Sequence, residues 1–164
     1  GVMLAKAMGA QVFGVDLIPE RLQLAQELGA DVVLHAVDDD PVAAIRDMTA
    51  GEGAEVAIDY SANPQARNNA LDCVRIWGRV AFVGEGNLTT INPSPQMLHK
   101  QLTVIGSWVF GLWQLRELGD FLVRHDLHPE RMVTHRFPLE RIGEALQLFD
   151  TGRTEKVMIE WPED

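Results

Sequence analysis

Five short runs of apolar, largely β-branched residues recur along the first two thirds of the chain, and segments of helical character separate them. The runs occupy residues 11–15, 31–34, 55–59, 79–84 and 102–106, and the helical segments occupy 20–28, 41–50, 63–77 and 94–100. Strands this far apart in sequence do not form hairpins, and strands that are apolar throughout are buried on both faces. The pattern predicts an α/β fold whose parallel strands are joined by right-handed helical crossovers.

The first residues give the rhythm an unusual start. GVMLAKAMGA has the apolar spacing of a helix already under way, with Gly9 as its C-terminal stop and no residue before Gly1 to cap it. We therefore expect a chain that begins after the first strand of its sheet. In the usual strand order 3-2-1-4-5-6 that strand is central, so the runs at 11–15 and 55–59 should not pair with each other.

The rhythm changes after Gly111. A long amphipathic helix over 112–125, a strand over 131–137, a helix over 139–149 and a final strand over 156–161 are predicted. The change of pattern therefore predicts a domain boundary between residues 110 and 111.

Composition narrows the class of partner and the compartment. The chain has 164 residues, 46% of them hydrophobic, and a formal net charge of -10, which disfavours binding to nucleic acid or to an anionic membrane surface. Its single cysteine, Cys73, excludes an internal disulfide framework and favours a reducing, cytoplasmic compartment. No apolar run reaches the roughly 18 residues of a membrane span, and no basic segment precedes a small-residue cleavage site, so we expect neither a membrane span nor a secretory leader.

One acid stands at a place where chemistry is expected. Asp16 ends the apolar run QVFGV and precedes a helix with Pro19 and Glu20 in its first turn. In a doubly wound sheet, an acid at the end of the second strand can accept hydrogen bonds from the ribose hydroxyls of a dinucleotide. An aspartate there can equally cap the helix or form a turn. The glycine motif that normally accompanies the ribose-binding acid is not found in this sequence, and we expect it in residues that precede Gly1.

Five segments, taken in order, carry a family resemblance that spans essentially the whole chain. These are AKAMGAQVFGVDLIPERLQLAQELGAD, DYSANPQA, GRVAFVGEG, GSWVFG and VTHRFPLERIGEALQLFDTGRTEKVMIEW. They resemble the zinc-dependent medium-chain alcohol and polyol dehydrogenases, sorbitol and threonine 3-dehydrogenases in particular. The resemblance implies a dinucleotide-binding domain over 1–110, with a Rossmann-type doubly wound parallel sheet lacking its first strand. It also implies a C-terminal α/β segment over 111–164 that belongs to the catalytic lobe and returns to the part of that lobe absent from this chain.

The resemblance also implies roles for residues around the adenosine half of the cofactor. Asp16 matches the ribose-binding acid, and Lys156 matches a basic residue that reaches the pyrophosphate. Arg21 matches a basic position near the adenosine, although it can also be a solvated helix residue paired with Glu20 or Glu27. An acid at Asp16 implies that the cofactor is NAD rather than NADP, whose 2′-phosphate would meet that charge.

Other matched positions concern the nicotinamide half and the substrate. Val83 and Gly84 match backbone positions close to the cofactor ribose, where a glycine lets a ligand approach. Ser107, Trp108 and Val109 match the stretch whose backbone holds the nicotinamide carboxamide. Arg136 matches an arginine that can approach the substrate pocket.

The implied activity is hydride transfer between a secondary alcohol, either a polyol or a hydroxy amino acid, and the nicotinamide. The zinc of such enzymes is held by the missing lobe, so no catalytic residue or metal ligand is expected in this chain. A homodimer or homotetramer joined around residues 88–110 is expected. Two other classes stay open: a non-catalytic dinucleotide-sensing regulatory domain, and a methyltransferase whose strand-end acid binds a different ribose.

Overall fold

The computed structural model describes residues 1–161 and alternates helices with strands along its whole length. The strands are β1 (Phe13–Asp16), β2 (Val32–His35), β3 (Ala54–Asp59), β4 (Val74–Phe82), β5 (Thr103–Gly106), β6 (Val133–Pro138) and β7 (Lys156–Glu160). The helices are α1 (Val2–Ala7), α2 (Pro19–Glu27), α3 (Pro41–Met48), α4 (Pro64–Cys73), α5 (Leu112–Arg124) and α6 (Ile142–Asp150). Short helical turns cover Ser94–Leu98, Pro129–Met132 and Leu139–Arg141.

All the strand pairs in this part of the chain are parallel, which confirms the predicted α/β class. They form three separate sheets, with orders β1-β2, β3-β4-β5 and β6-β7. The strands predicted at 11–15 and 55–59 are thus not hydrogen-bonded neighbours, as expected from the sequence. No helix within residues 1–161 has the length and apolar character needed to cross a membrane.

The described chain divides into two compact units, one made of residues 1–35 with residues from 111 onward and the other of residues 36–110. The predicted boundary at residues 110 and 111 coincides with one edge of this division. The assignment of 1–110 to a dinucleotide-binding domain stays a prediction.

In the first unit, an ion pair fixes the passage from α1 to β1. Gly9 ends α1 with a φ of +83°, a conformation that glycine adopts without strain. Lys6 Nζ lies 2.8 Å from a carboxylate oxygen of Asp31, and the Val12 amide donates to the same carboxylate over 2.7 Å. These two contacts hold the pKa of Asp31 below its usual value, the Lys6 hydrogen bond being the larger cause.

In the second unit, side chains cap both ends of the helices that flank β3. Asp40 accepts from the Val42 and Ala43 amides at the start of α3, and Asn63 does the same for the start of α4. Lys100 donates through Nζ to three carbonyls at the end of α4, and the core beneath contains the fully buried side chains of Leu71, Val74 and Val80.

The helix predicted over 63–77 and the strand predicted over 79–84 meet earlier than expected. α4 ends at Cys73 and β4 begins at Val74, which pairs with Ala54; the next pair is Val56 with Arg79. Residues 75–78 therefore bulge out of the ladder, and Trp77 has a φ of +58°. The backbone at this junction lies close to the residue that precedes β3: a Cβ on Gly53 would lie 2.5 Å from the Cys73 carbonyl oxygen.

Candidate functional site

Asp16 is the last residue of β1, so the predicted strand-end acid is where the sequence placed it. Its Oδ1 accepts from the backbone amides of Leu17 and Ile18, over 2.7 and 3.0 Å. The helix α2 starts after Ile18, which makes no side-chain cap bond. Asp16 therefore forms the turn that precedes the helix, while its Oδ2 takes no part in those two bonds.

Arg21 contacts residues that lie more than 130 positions later in the chain. The alternative interpretation, an ion pair with Glu20 or Glu27, is not among its contacts. Nη2 donates to the carbonyl oxygen of Gly152 over 2.7 Å, and Nε lies 3.6 Å from Glu155 Oε1. Nη1 lies 3.9 Å from Asp16 Oδ2. The guanidinium is thus held between the end of β1 and the segment that leads into β7.

Asp16, Arg21 and Glu155 form what we call the Arg21 cluster. All three side chains are about one third exposed, at 34%, 36% and 33%. Burial raises the pKa of the Glu155 carboxyl, and Asp16 raises it further, while Arg21 lowers it by less than the two together. Glu155 was not among the residues predicted from the sequence, and no local pattern marks it.

Lys156 and Arg136 lie on the two strands of the third sheet, outside the contacts of the Arg21 cluster. Lys156 is exposed at the first position of β7 and pairs with Val133 in the ladder. Arg136, on β6, makes a short ion pair with Glu160 across the ladder. Neither contact by itself identifies a ligand.

A cleft of about 380 Å³ opens at the carboxyl ends of β4 and β5 in the second unit. Its walls are formed by Phe82, Val83, Gly84, Glu85, Gly106, Ser107 and Trp108. The two strands are parallel neighbours, and the Ser107 amide donates to the Phe82 carbonyl over 3.0 Å where they end. Open α/β sheets bind ligands at this edge. Four of the residues predicted from the sequence are brought together here, and Val109 follows them in sequence with a φ of +47°.

The reason for a glycine at Gly84 differs from the one expected. A Cβ there would lie 2.4 Å from the Ala62 amide nitrogen and 2.7 Å from the Tyr60 carbonyl carbon. The amides of Val83 and Gly84 both donate to the Asp59 carbonyl, over 2.9 and 3.1 Å. The chain's own loop after β3, rather than a ligand, therefore already requires the missing side chain.

Two residues that support this cleft wall, Asp59 and Arg67, were not predicted from the sequence. The buried Asp59 carboxylate accepts from the Ser61 hydroxyl and from the Ser61 and Ala62 amides, and Arg67 Nε lies 3.4 Å from it. Arg67 also donates to the Gly84 carbonyl over 2.8 Å, and its guanidinium carbon lies 5.6 Å from the centre of the Phe82 ring. The position of Asp59 at the end of a predicted strand, which it shares with Asp16, could have identified it as a candidate.

A slightly larger cleft of about 430 Å³ lies beside α4 and is a less suitable candidate. The Gln96 amide at its base is already satisfied: Oε1 accepts from the Asn92 amide over 2.6 Å and Nε2 donates to Asn68 Oδ1 over 2.9 Å. We read it as a structural hydrogen-bond network. Cys73, nearby in the sequence, is buried, and burial raises the pKa of its thiol to about 11. Within residues 1–161, no group of three or more His, Cys, Asp or Glu side chains could hold a metal ion.

Comparison with known proteins gives several dehydrogenases. The chain is 38% identical over 164 residues to the uncharacterized zinc-type alcohol dehydrogenase-like protein YphC of Escherichia coli, covering 99% of this chain and 46% of that protein. It is 34% identical to the L-threonine 3-dehydrogenase of Symbiobacterium thermophilum, covering 96% and 46%. Among solved structures, the alcohol dehydrogenase TADH from Thermus sp. ATN1 superposes with a TM-score of 0.89 at 31% identity, over 98% of this chain and 47% of that one.

The chain spans about half the length of the curated relatives it matches, at 46% of each. The solved relatives share its parallel α/β fold, which agrees with the Rossmann-type prediction. The family model described as zinc-binding dehydrogenase matches residues 1–124, which is most of the chain. The chain therefore belongs to the zinc-binding dehydrogenase family.

Proposed function

We propose that this chain is the cofactor-binding half of an NAD-dependent dehydrogenase that transfers hydride between a secondary alcohol and the nicotinamide. The observation that carries the proposal is the Asp16 carboxylate at the carboxyl end of β1, with one oxygen outside the turn. A carboxylate oxygen facing a ribose hydroxyl makes a charge-assisted hydrogen bond. The ribose-binding role and the turn together account for an aspartate at position 16.

The cleft at the ends of β4 and β5 supports a binding site for the nicotinamide half. Val83, Gly84, Ser107 and Trp108 supply backbone groups and an aromatic wall, and Val109 continues the same stretch. A flat heteroaromatic ring with a carboxamide suits such a cleft, because it needs a few polar groups on an otherwise apolar surface. We assign these residues, with Lys156 for the pyrophosphate, to the cofactor.

NAD is proposed in preference to NADP because negative charge dominates the Arg21 cluster. Asp16 and Glu155 both face Arg21, at 3.9 and 3.6 Å. If all three groups are ionised, the cluster has a net charge of about -1. A second phosphate on the adenosine ribose would be repelled, and a ribose hydroxyl would not.

The chemistry of hydride acceptance belongs to the nicotinamide when it is bound. The residues of this chain would orient that ring and exclude water from one side of it. The described residues do not supply a zinc site, so we place the zinc and its ligands in another part of the protein and assign no catalytic step to this chain. The exposed apolar side chains of α5, among them Leu112, Trp113 and Val123, are suited to packing against that part.

The proposed substrate is a small secondary alcohol, either a polyol or a hydroxy amino acid. Arg136 is the residue proposed to contact it. The relatives named threonine 3-dehydrogenase support the second type. A homodimer or homotetramer is proposed around residues 88–110, because β5 is the last strand in the order β3-β4-β5 and leaves an edge to pair. The protein is proposed to work in the cytoplasm.

A dinucleotide-sensing domain is the competing function, and it would bind the same cofactor without turnover. It offers no role for the folded β6, α6 and β7 segment, and a methyltransferase offers none for the cleft at Ser107 and Trp108. The test uses the complete protein. NADH binding is followed by fluorescence, and NAD reduction is followed by absorbance with a set of polyols and hydroxy amino acids, before and after zinc chelation.

We expect NADH binding in both conditions and NAD reduction only before chelation. Binding without turnover of any alcohol would favour the sensor. Binding of neither NADH nor NADPH would refute the proposal.

A further inference from the structure

We propose that Glu155 is a specificity-determining residue that discriminates against a cofactor with a phosphate on its adenosine ribose. It does so by occupying Arg21, the cation of the Arg21 cluster, and by placing a second carboxylate beside Asp16. The inference rests on the proposed function, because it assumes that the adenosine ribose lies at Asp16.

The Arg21 guanidinium lies close to acceptor groups of the protein itself. A cation that accepts a phosphate must present its N–H groups to it, usually two at once. Arg21 makes one hydrogen bond, from Nη2 to the Gly152 carbonyl over 2.7 Å, and its Nε has no hydrogen-bond partner. Nε lies 3.6 Å from Glu155 and Nη1 lies 3.9 Å from Asp16, which are ion-pair distances. The charge of Arg21 is therefore shared between two carboxylates of the protein.

Glu155 is held in place at the start of a paired strand. Its backbone amide donates to the Thr134 hydroxyl over 3.3 Å, and the residue before it, Thr154, is buried. Glu155 then leads directly into β7, which pairs with β6 over five ladder positions. The carboxylate is thus presented from a fixed strand start and not from a freely moving loop.

The negative charges of Asp16 and Glu155 disfavour a phosphate at this site. Asp16 contributes to raising the pKa of Glu155, so the two carboxylates interact with each other across Arg21. A monophosphate ester adds roughly 1.5 to 2 negative charges at neutral pH. Such a group would be the third anion at a site with one engaged cation, whereas a hydroxyl would add no charge.

The experiment measures dissociation constants for NADH and NADPH by fluorescence titration of the complete protein at low ionic strength. Glu155→Gln is compared with wild type, with Arg21→Met and with the double variant. Partly exposed ion pairs have modest strength, so we expect Glu155→Gln to shift the ratio of the two constants towards NADPH by about two- to fivefold. In the Arg21→Met background the same substitution should shift the ratio by less, since the released cation is gone.

Glu144→Gln is the matched control. It removes the same charge from an exposed ion pair with Arg141 on α6 and should leave the ratio unchanged. Thermal unfolding of every variant shows whether the fold is retained. If Glu155→Gln does not fold, Glu155→Ala tests the inference instead, because it also removes the second carboxylate and releases Arg21.

A ratio that is the same in Glu155→Gln, Glu144→Gln and wild type would overturn the inference and leave the proposed function intact. A shift of the ratio that is as large in the Arg21→Met background as in the wild-type background would also overturn it. Failure of the wild-type protein to bind either cofactor would instead overturn the proposed function, and this inference with it.

Discussion

Removing the charge of Asp16 should weaken NADH binding by about tenfold, and the structure says which substitution shows this cleanly. Oδ1 already accepts two backbone amides, from Leu17 and Ile18. One carboxylate oxygen, Oδ2, is then left for a ribose hydroxyl, so one charge-assisted bond is at stake rather than two. Such a bond contributes about 1.5 to 3 kcal/mol, and a neutral one about 0.5 to 1.5 kcal/mol.

Asp16→Asn keeps one oxygen for the turn and places an NH2 group where Oδ2 was. A ribose hydroxyl could then only accept a neutral hydrogen bond from that NH2 and could no longer donate to a carboxylate oxygen. The difference between the two kinds of bond, about 1 to 1.5 kcal/mol, corresponds to a weakening of roughly five- to tenfold. Asp16→Ala loses both functions. Its NADH binding should weaken by about tenfold or more, and its free energy of unfolding should fall by about 1 to 2 kcal/mol because two amides of the turn lose their acceptor.

The assay is fluorescence titration of NADH and NADPH with both variants of the complete protein, together with urea unfolding. Both substitutions should also narrow the preference for NADH over NADPH, because the repelling charge is gone. If Asp16→Ala loses stability while the cofactor affinities of both variants equal those of wild type, Asp16 is only a turn residue. The assignment of the ribose site would then be wrong.

Two further predictions concern stability. Gly84→Ala should lower the free energy of unfolding by about 1 to 3 kcal/mol, because its Cβ would lie 2.4 Å from the Ala62 amide nitrogen, whereas Gly143→Ala on α6 meets nothing within 4 Å and should be neutral or slightly stabilising in the same urea titration. The Asp31 pKa is lowered by Lys6, so its contribution to stability is present above the unfolded value of 3.8 and is lost as the pH falls through the folded value. Asp31→Asn should therefore flatten the fall in thermal stability below about pH 4, and an unchanged slope would contradict this.

The strand positions were predictable because burial on both faces of a parallel strand leaves a continuous apolar run in the sequence. β1, β3 and β5 lie within two residues of the predicted runs. The start of β4 was not predictable in the same way. Residues 74–77 continue a helical pattern, but Val74 pairs with Ala54 and the Trp77 amide donates to the Lys100 carbonyl. No local signal marks these distant partners.

The candidate site shows the same division. The residues at the ends of β4 and β5 could be placed together from the sequence, since carboxyl ends of parallel strands meet at one edge of a sheet. The partners of Arg21 could not, because Gly152 is 131 residues away and the family resemblance of the segment that contains Glu155 assigns no role to that residue. A basic residue on the first turn of a helix has many candidate partners, and only the fold selects among them.

Two aspartates end strands in the described residues, and their contacts explain why position alone does not identify a ligand-binding acid. Asp59 ends β3 with a side chain that is 3% exposed, and both of its oxygens are engaged by Ser61, Ala62 and Arg67. Asp16 ends β1 with a side chain that is 34% exposed and has one oxygen outside its turn. A carboxylate can bind a ligand only with lone pairs that the protein leaves unused. By that criterion Asp59 is a structural residue that fixes the loop behind Gly84, and Asp16 is the acid still able to bind a ribose.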